Sequence, residues 1–223
     1  MIKALLLIVN PIATWDGIIR AQRGVVSILV VYLLPLLLLT SACEAYGLIH
    51  WGKLQHESLF ENLFKLGKGP IQIPQLKKFS PDETMVLEAA QLLLSLVVVF
   101  VGAKLVKAVG ETFRGRHTYN QAFTAVAYGL GPMFLLRLFD AFSGLSPWVP
   151  WGVGIVLSIA VLYQGLPRVM EPDPSHAFGL YFMSAVLLVL VTGMTRFVTA
   201  GCLGGDYPKL LAIVSDLTAR LPF

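Results

Sequence analysis

Five charged residues stand in stretches otherwise too apolar to hold them: Glu44, Glu88, Arg137, Asp140 and Arg196. A charge inside a membrane span costs several kcal/mol unless it is paired or hydrated. Three acids and two arginines drawn together would neutralise one another and line a polar pocket between helices. Such a pocket could hold a headgroup, an ion or a small polar solute. The competing reading is that each side chain reaches separately to its nearest interface. Arg137 and Asp140 are three residues apart, close enough on one helix to interact directly. The stretch that carries them, AYGLGPMFLLRLFD at 127–140, also contains Gly129, Gly131 and Pro132. A proline inside a helix removes a hydrogen bond and kinks it.

Little else in the chain could do chemistry. There is no nucleophile elbow, H-E-x-x-H, phosphate loop or dinucleotide fingerprint. His50, His56, His117 and His176 have no metal-ligand spacing, and Cys43 and Cys202 form no C-x-x-C pair. Each cysteine lies near the end of an apolar run and reads as a small packing residue; a disulfide would need both ends in an oxidising compartment. No catalytic residue, metal or cofactor is expected, so the chain reads as non-enzymatic.

The elements that must position the charges are long apolar segments. The 223 residues are 56% hydrophobic and 13% charged, with a mean hydropathy of +0.74. Soluble domains carry about a quarter charged residues. Five segments approach the ~20 residues that cross a hydrocarbon core: 25–46, 84–109, 119–142, 149–168 and 177–201. The fold class is therefore an all-α polytopic membrane bundle. Ser80-Pro81-Asp82-Glu83 marks the start of the second helix with a capping box and a first-turn proline. Residues 11–22, 54–66 and 207–221 are amphipathic and read as short interfacial helices, and KGPIQIPQLKK at 68–78 reads as extended loop. The organisation is an N-terminal interfacial segment at 1–24, a membrane domain at 25–201 and a C-terminal amphipathic segment at 202–223. MIKALLLIVNPIATWDG does not read as a signal peptide, because its apolar run is very short and Asn10-Pro11 follows without a cleavage site.

Helical rise then sets depth. At about 1.5 Å per residue from each span's midpoint, Glu44 and Glu88 lie about 13 Å from the midplane, and Arg137 and Arg196 about 10 Å. Consecutive spans alternate direction, so all four fall on one side, with Asp140 slightly further out. Pro35 of the first span and Gly129, Gly131 and Pro132 of the third lie near the midplane, where they kink and pack helices. Gly154 and Ser158 have the spacing of a close helix contact. Lys104, Lys107, Arg114 and Arg116, with His117, form a basic rim on the opposite side, where anionic headgroups would bind. The overall charge of +4 fits anionic lipid, and no basic stripe with interleaved aromatics points to nucleic acid. Lysines and arginines split eight against seven between the two sides. The short loops carry the decision and place the N-terminus in the cytoplasm and the C-terminus outside.

Three stretches resemble the Yip domain family, named for proteins that interact with Ypt/Rab GTPases: NPIATWDGI at 10–18, FRGRHTYNQAFTAVAYGLGP at 113–132, and LYQGLPRVMEPDPSHA at 162–177, read as a Y-x-G-L turn before the last helix. Tyr128 belongs to the second stretch, just before its glycines and proline. The resemblance implies a five-helix membrane domain with a cytoplasmic N-terminus. Its eukaryotic members serve vesicle trafficking and bind GTPases partly through a longer N-terminal region; residues 1–24 look like the short leader of bacterial members. The resemblance supplies no catalytic residues. It implies an inner-membrane protein that organises membrane or binds lipid, a partner protein or a second copy of itself. The alternative is a small transporter, channel or lipid-translocating protein using the charged cluster. Reporter fusions test the orientation: a C-terminal alkaline phosphatase fusion should be active and an N-terminal one inactive, and the reverse would overturn the assignment.

Overall fold

The computed structural model describes residues 2–55, 75–113, 118–173 and 175–201. Among the described residues, five helical segments are long and apolar enough to cross a membrane: Val25–His50, Pro81–Thr112, Tyr119–Ala141, Trp148–Met170 and Ala177–Gly201. They match the segments expected from hydropathy, with ends shifted by a few residues. The shifts have local causes. The fourth span runs past its expected end at 168, carrying the helix on from Tyr163–Leu166, which the family resemblance reads as a turn, and stops only at Glu171, whose φ of 43 is left-handed. The second span starts at the expected box: the Ser80 hydroxyl accepts from Glu83 N at 3.2 Å, and Glu83 Oε2 accepts from Ser80 N at 3.1 Å. A second box, Thr118 with Gln121, starts the third span.

Two spans are broken at their prolines. Pro35 offers no amide hydrogen, and its ring crowds the carbonyl of Val31 four residues back. The preceding turn, Leu29–Leu33, widens into a π turn. In the third span an α-helix ends at Gly129, and a new one runs Gly131–Leu136 with Pro132 in its first turn. A first-turn amide lacks an intrahelical acceptor; the Met133 amide donates instead to the Ser158 hydroxyl of the fourth span at 3.2 Å. Gly154, one turn away on the fourth span, lets that span close on Met133: an added Cβ would lie 2.8 Å from its Cα. The third span finishes as a 3-10 helix, Arg137–Ala141. With three residues per turn, positions i and i+3 eclipse, so Arg137 and Asp140 share one face.

The N-terminal residues form two helices, α1 (Ile2–Val9) and α2 (Pro11–Ala21), the second capped by Asn10. The apolar face of 11–22 that suggested an interfacial helix buries Trp15 and Ile18 inside the bundle. The Trp15 indole donates to Val161 O at 3.2 Å and lies flat against Gly165, where any side chain would collide with it. Trp15, Tyr32 and Tyr128 stack near the breaks: the two tyrosine rings are 4.3 Å apart, and Trp15 meets Tyr128 edge-on at 6.4 Å. Gly131 leaves room for the Tyr32 hydroxyl. These residues belong to one apolar core that runs through α1, α2 and all five spans. A separate small cluster, Leu48, Phe79 and Leu87, sits beyond the charges, at the ends of the first two spans.

Between those spans the chain forms a two-stranded antiparallel ribbon, β1 (Lys53–Gln55) with β2 (Gln75–Lys77), Lys53 opposite Lys77. β2 lies within the stretch expected as extended loop. The ribbon is entered through Gly52 at φ +71, where an added Cβ would also meet Lys77 O. Of the amphipathic stretch at 54–66, Leu54 and Gln55 belong to β1; its remainder and the C-terminal segment at 202–223, with Cys202, lie outside the described residues. Cys43 is half-buried and has no disulfide partner among the described residues.

Trp15 joins α2 to the fourth span by both area and a hydrogen bond. Trp15→Ala should lower unfolding free energy by about 3–5 kcal/mol in denaturant titrations of the detergent-solubilised protein. A loss below about 1 kcal/mol would mean that α2 does not pack there.

Candidate functional site: a buried charged layer

The polar residues of the spans have helical spacing. Glu88, Gln91 and Ser95 form a stripe on the second span, Ser41 and Glu44 on the first, and Thr192, Arg196 and Thr199 on the fifth; all are buried. The 3-10 end of the third span sets Arg137 and Asp140 among them. Gly47 brings the first span against the backbone of Ala141, an approach that a Cβ would block.

Arg137 is the centre of one group. Its Nε donates to Glu44 Oε2 at 2.8 Å, and its Nη2 donates to Glu88 Oε2 at 2.7 Å and to the Ser41 hydroxyl at 3.3 Å. The second Glu44 oxygen accepts from Gln91 Nε2 at 3.2 Å. One guanidinium thus ties the third span to the first and the second. Asp140 anchors a second group: Arg196 Nη2 lies 2.7 Å from both carboxylate oxygens, and Arg196 Nε donates to Pro147 O at 3.0 Å. This ties the third span to the fifth and to the turn before the fourth. Arg137 and Asp140 therefore each turn to other helices rather than to each other. All five sequence candidates are brought into this layer.

Lys53 was not among them. It enters from β1, buried, with Nζ donating to Asp140 O at 2.6 Å and to Phe142 O at 3.2 Å. Burial lowers its pKa, opposed by the nearby Asp140 and Glu44 carboxylates. The layer then contains three acids and three bases, equal in number. Helical spacing from the charged residues would have found Ser41, Gln91 and the threonines. Lys53 had no such signal, because the Gly52 turn and the ribbon bring it back to the third span.

Beside the layer lies a cavity of ≈ 60 Å³, lined by Arg137, Asp140 and Arg196, by the Gln91 and Ser95 stripe, and by Trp151 and Thr192. Among the described residues no set of three or more His, Cys, Asp or Glu side chains is placed to hold a metal. Pro35, Tyr128, Gly129, Gly131 and Pro132 stay outside the layer and shape the core. In the basic rim, Lys104 is exposed and Lys107 pairs with Glu111 at 3.3 Å; Arg114, Arg116 and His117 lie outside the described residues.

Removing one member of a buried ion pair leaves the other uncompensated and costs about 3–5 kcal/mol. Glu44→Gln and Arg137→Gln should each destabilise by that order. The double variant should lose at least about 1 kcal/mol less than the sum. Strict additivity in the same unfolding assay would show that the two side chains do not interact.

No curated protein and no solved structure matches the chain. A family model, that of the Yip1 domain, matches residues 5–195, which takes in most of α1, all of α2 and the first four spans, and most of the fifth. With the five apolar helices, this makes the chain an integral membrane protein that belongs to the Yip1 domain family.

Proposed function

We propose that this protein organises membrane without covalent chemistry, by binding lipid and, through its exposed helix faces, a partner protein or a second copy of itself. Its place would be a bacterial cytoplasmic membrane, with the N-terminus inside and the C-terminus outside. The observation that carries this reading is the closure of the charged layer. Each acid faces an arginine, the pairs cross from helix to helix, and Lys53 donates to backbone carbonyls of the same layer. A permeation path needs polar groups that exchange partners with the solute at low cost. Interlocked charge-assisted bonds do the opposite and hold helices in register. The exposed Lys104 and the half-exposed Lys107 at the other end support contact with anionic headgroups.

The purified full chain in liposomes should give proton and potassium fluxes, and lipid scrambling by dithionite quenching of a fluorescent lipid, no faster than protein-free vesicles. Native mass spectrometry should show phospholipid retained on the protein after detergent removal. Flux or scrambling that is fast in the wild type and abolished by Glu88→Gln and Arg137→Ala would replace this reading with transport.

A further inference from the structure

The cavity beside the charged layer has its own chemistry, set by which hydrogen-bonding atoms are already used. Arg137 is more than nine-tenths buried and spends Nε and Nη2 on Glu44, Glu88 and Ser41. Its Nη1 is buried with no hydrogen-bond partner among the described residues, and so is Trp151 Nε1. Both residues line the cavity. A buried donor left without an acceptor is costly, so each calls for an oxygen. Four hydroxyl residues, Ser95, Thr192, Thr195 and Thr199, share the lining with the apolar Val98, Met133 and Phe134. Each hydroxyl gives its hydrogen to a carbonyl of its own helix at 2.7–3.0 Å. Their oxygens are left with lone pairs, so they act as acceptors. The cavity therefore offers donors on the Arg137 and Trp151 side and acceptors on the threonine side.

Charge narrows the ligand further. The adjoining layer has three acids and three bases, equal in number, so an entering ion would find no unmatched counter-charge among them. The complementary group is uncharged and both accepts and donates hydrogen bonds, as a hydroxyl does. The volume of ≈ 60 Å³ takes about four to six waters at 10–15 Å³ each, comparable in bulk to a three-carbon polyol. Arg137 sits about 10 Å from the midplane by helical rise, inside the ~15 Å half-thickness of the hydrocarbon core. A glycerolipid hydroxyl reaches that depth more readily than a charged headgroup.

We infer that the cavity among the second, third, fourth and fifth spans binds an uncharged hydroxyl-bearing group, either the glycerol unit of a neutral glycerolipid or a free polyol, through Arg137, Trp151 and the threonine face. This rests on the lipid-binding reading above and specifies its site.

The test is ligand-dependent thermal stability of the full chain in detergent, since a ligand that binds only the folded state raises Tm. Dihexanoylglycerol should give a saturable rise, and trihexanoylglycerol, which lacks the free hydroxyl, and inorganic phosphate should not. A saturable rise with glycerol alone would assign the site to free polyols; one with dihexanoylglycerol but not glycerol would assign it to lipid. Trp151→Phe and Thr195→Val leave the ion pairs intact, and each should raise the half-saturating concentration about fivefold, as loss of one hydrogen bond implies. The inference is overturned by no rise with either hydroxyl compound, by an equal rise with trihexanoylglycerol or phosphate, or by unchanged half-saturation in both variants. Flux in liposomes would overturn the wider reading whatever these titrations give.

Discussion

The structure depends on one guanidinium. Arg137 lies between Glu44 of the first span and Glu88 of the second, within 2.8 Å of both. In a low-dielectric interior such contacts are strong, and an unmatched charge there is equally costly. The three helices are therefore held in one register: sliding any of them by a turn would strand a carboxylate or the guanidinium. Arg196 with Asp140 extends the constraint to the fifth span, and Lys53 extends it to the ribbon between the first two. Apolar packing alone discriminates poorly between registers in lipid, because lipid tails solvate apolar side chains as well as a neighbouring helix does.

The breaks in the first and third spans make this arrangement attainable. A straight α-helix through 119–141 would not eclipse positions 137 and 140. The restart after Pro132 and the 3-10 ending turn both side chains inward. The same break leaves the Met133 amide in need of an acceptor, which Ser158 provides. Toward the midplane and beyond, Trp15, Tyr32 and Tyr128 fill the space around the kinks. The bundle thus divides by depth into an apolar part closed by α1 and α2 and a polar part closed by ion pairs. The cavity lies against the polar part.

Much of this division was legible in the sequence. Spans follow from length and hydropathy, and a common depth for the charges follows from helical rise and alternating direction. The partners did not follow. Depth places Glu44, Glu88, Arg137, Asp140 and Arg196 in one layer but says nothing of azimuth. The pairing of Arg137 with two glutamates depends on a 3-10 ending that proline and glycine only hint at. Amphipathicity marked 11–22 correctly as having an apolar face, but a face laid on lipid and one packed on protein have the same pattern. Only Gly165, 150 residues away, separates them. Lys53 was hidden for the same reason: its contact is made by a ribbon whose register no local pattern encodes.

A membrane protein built in this way holds its helices in one fixed arrangement. Its central claim is that two arginine side chains are locked inside the bundle by carboxylates. Arginine side-chain nitrogen NMR in detergent micelles, with hydrogen exchange followed on the Nε–H signals, tests this directly. Two Nε–H resonances, assigned to Arg137 and Arg196 by substitution, should exchange far more slowly than those of Arg20 and Arg23. Glu44→Gln should shift the first and Asp140→Asn the second. If all arginine Nε–H groups exchange at the rate of exposed side chains, the charges reach water separately and the layer does not exist.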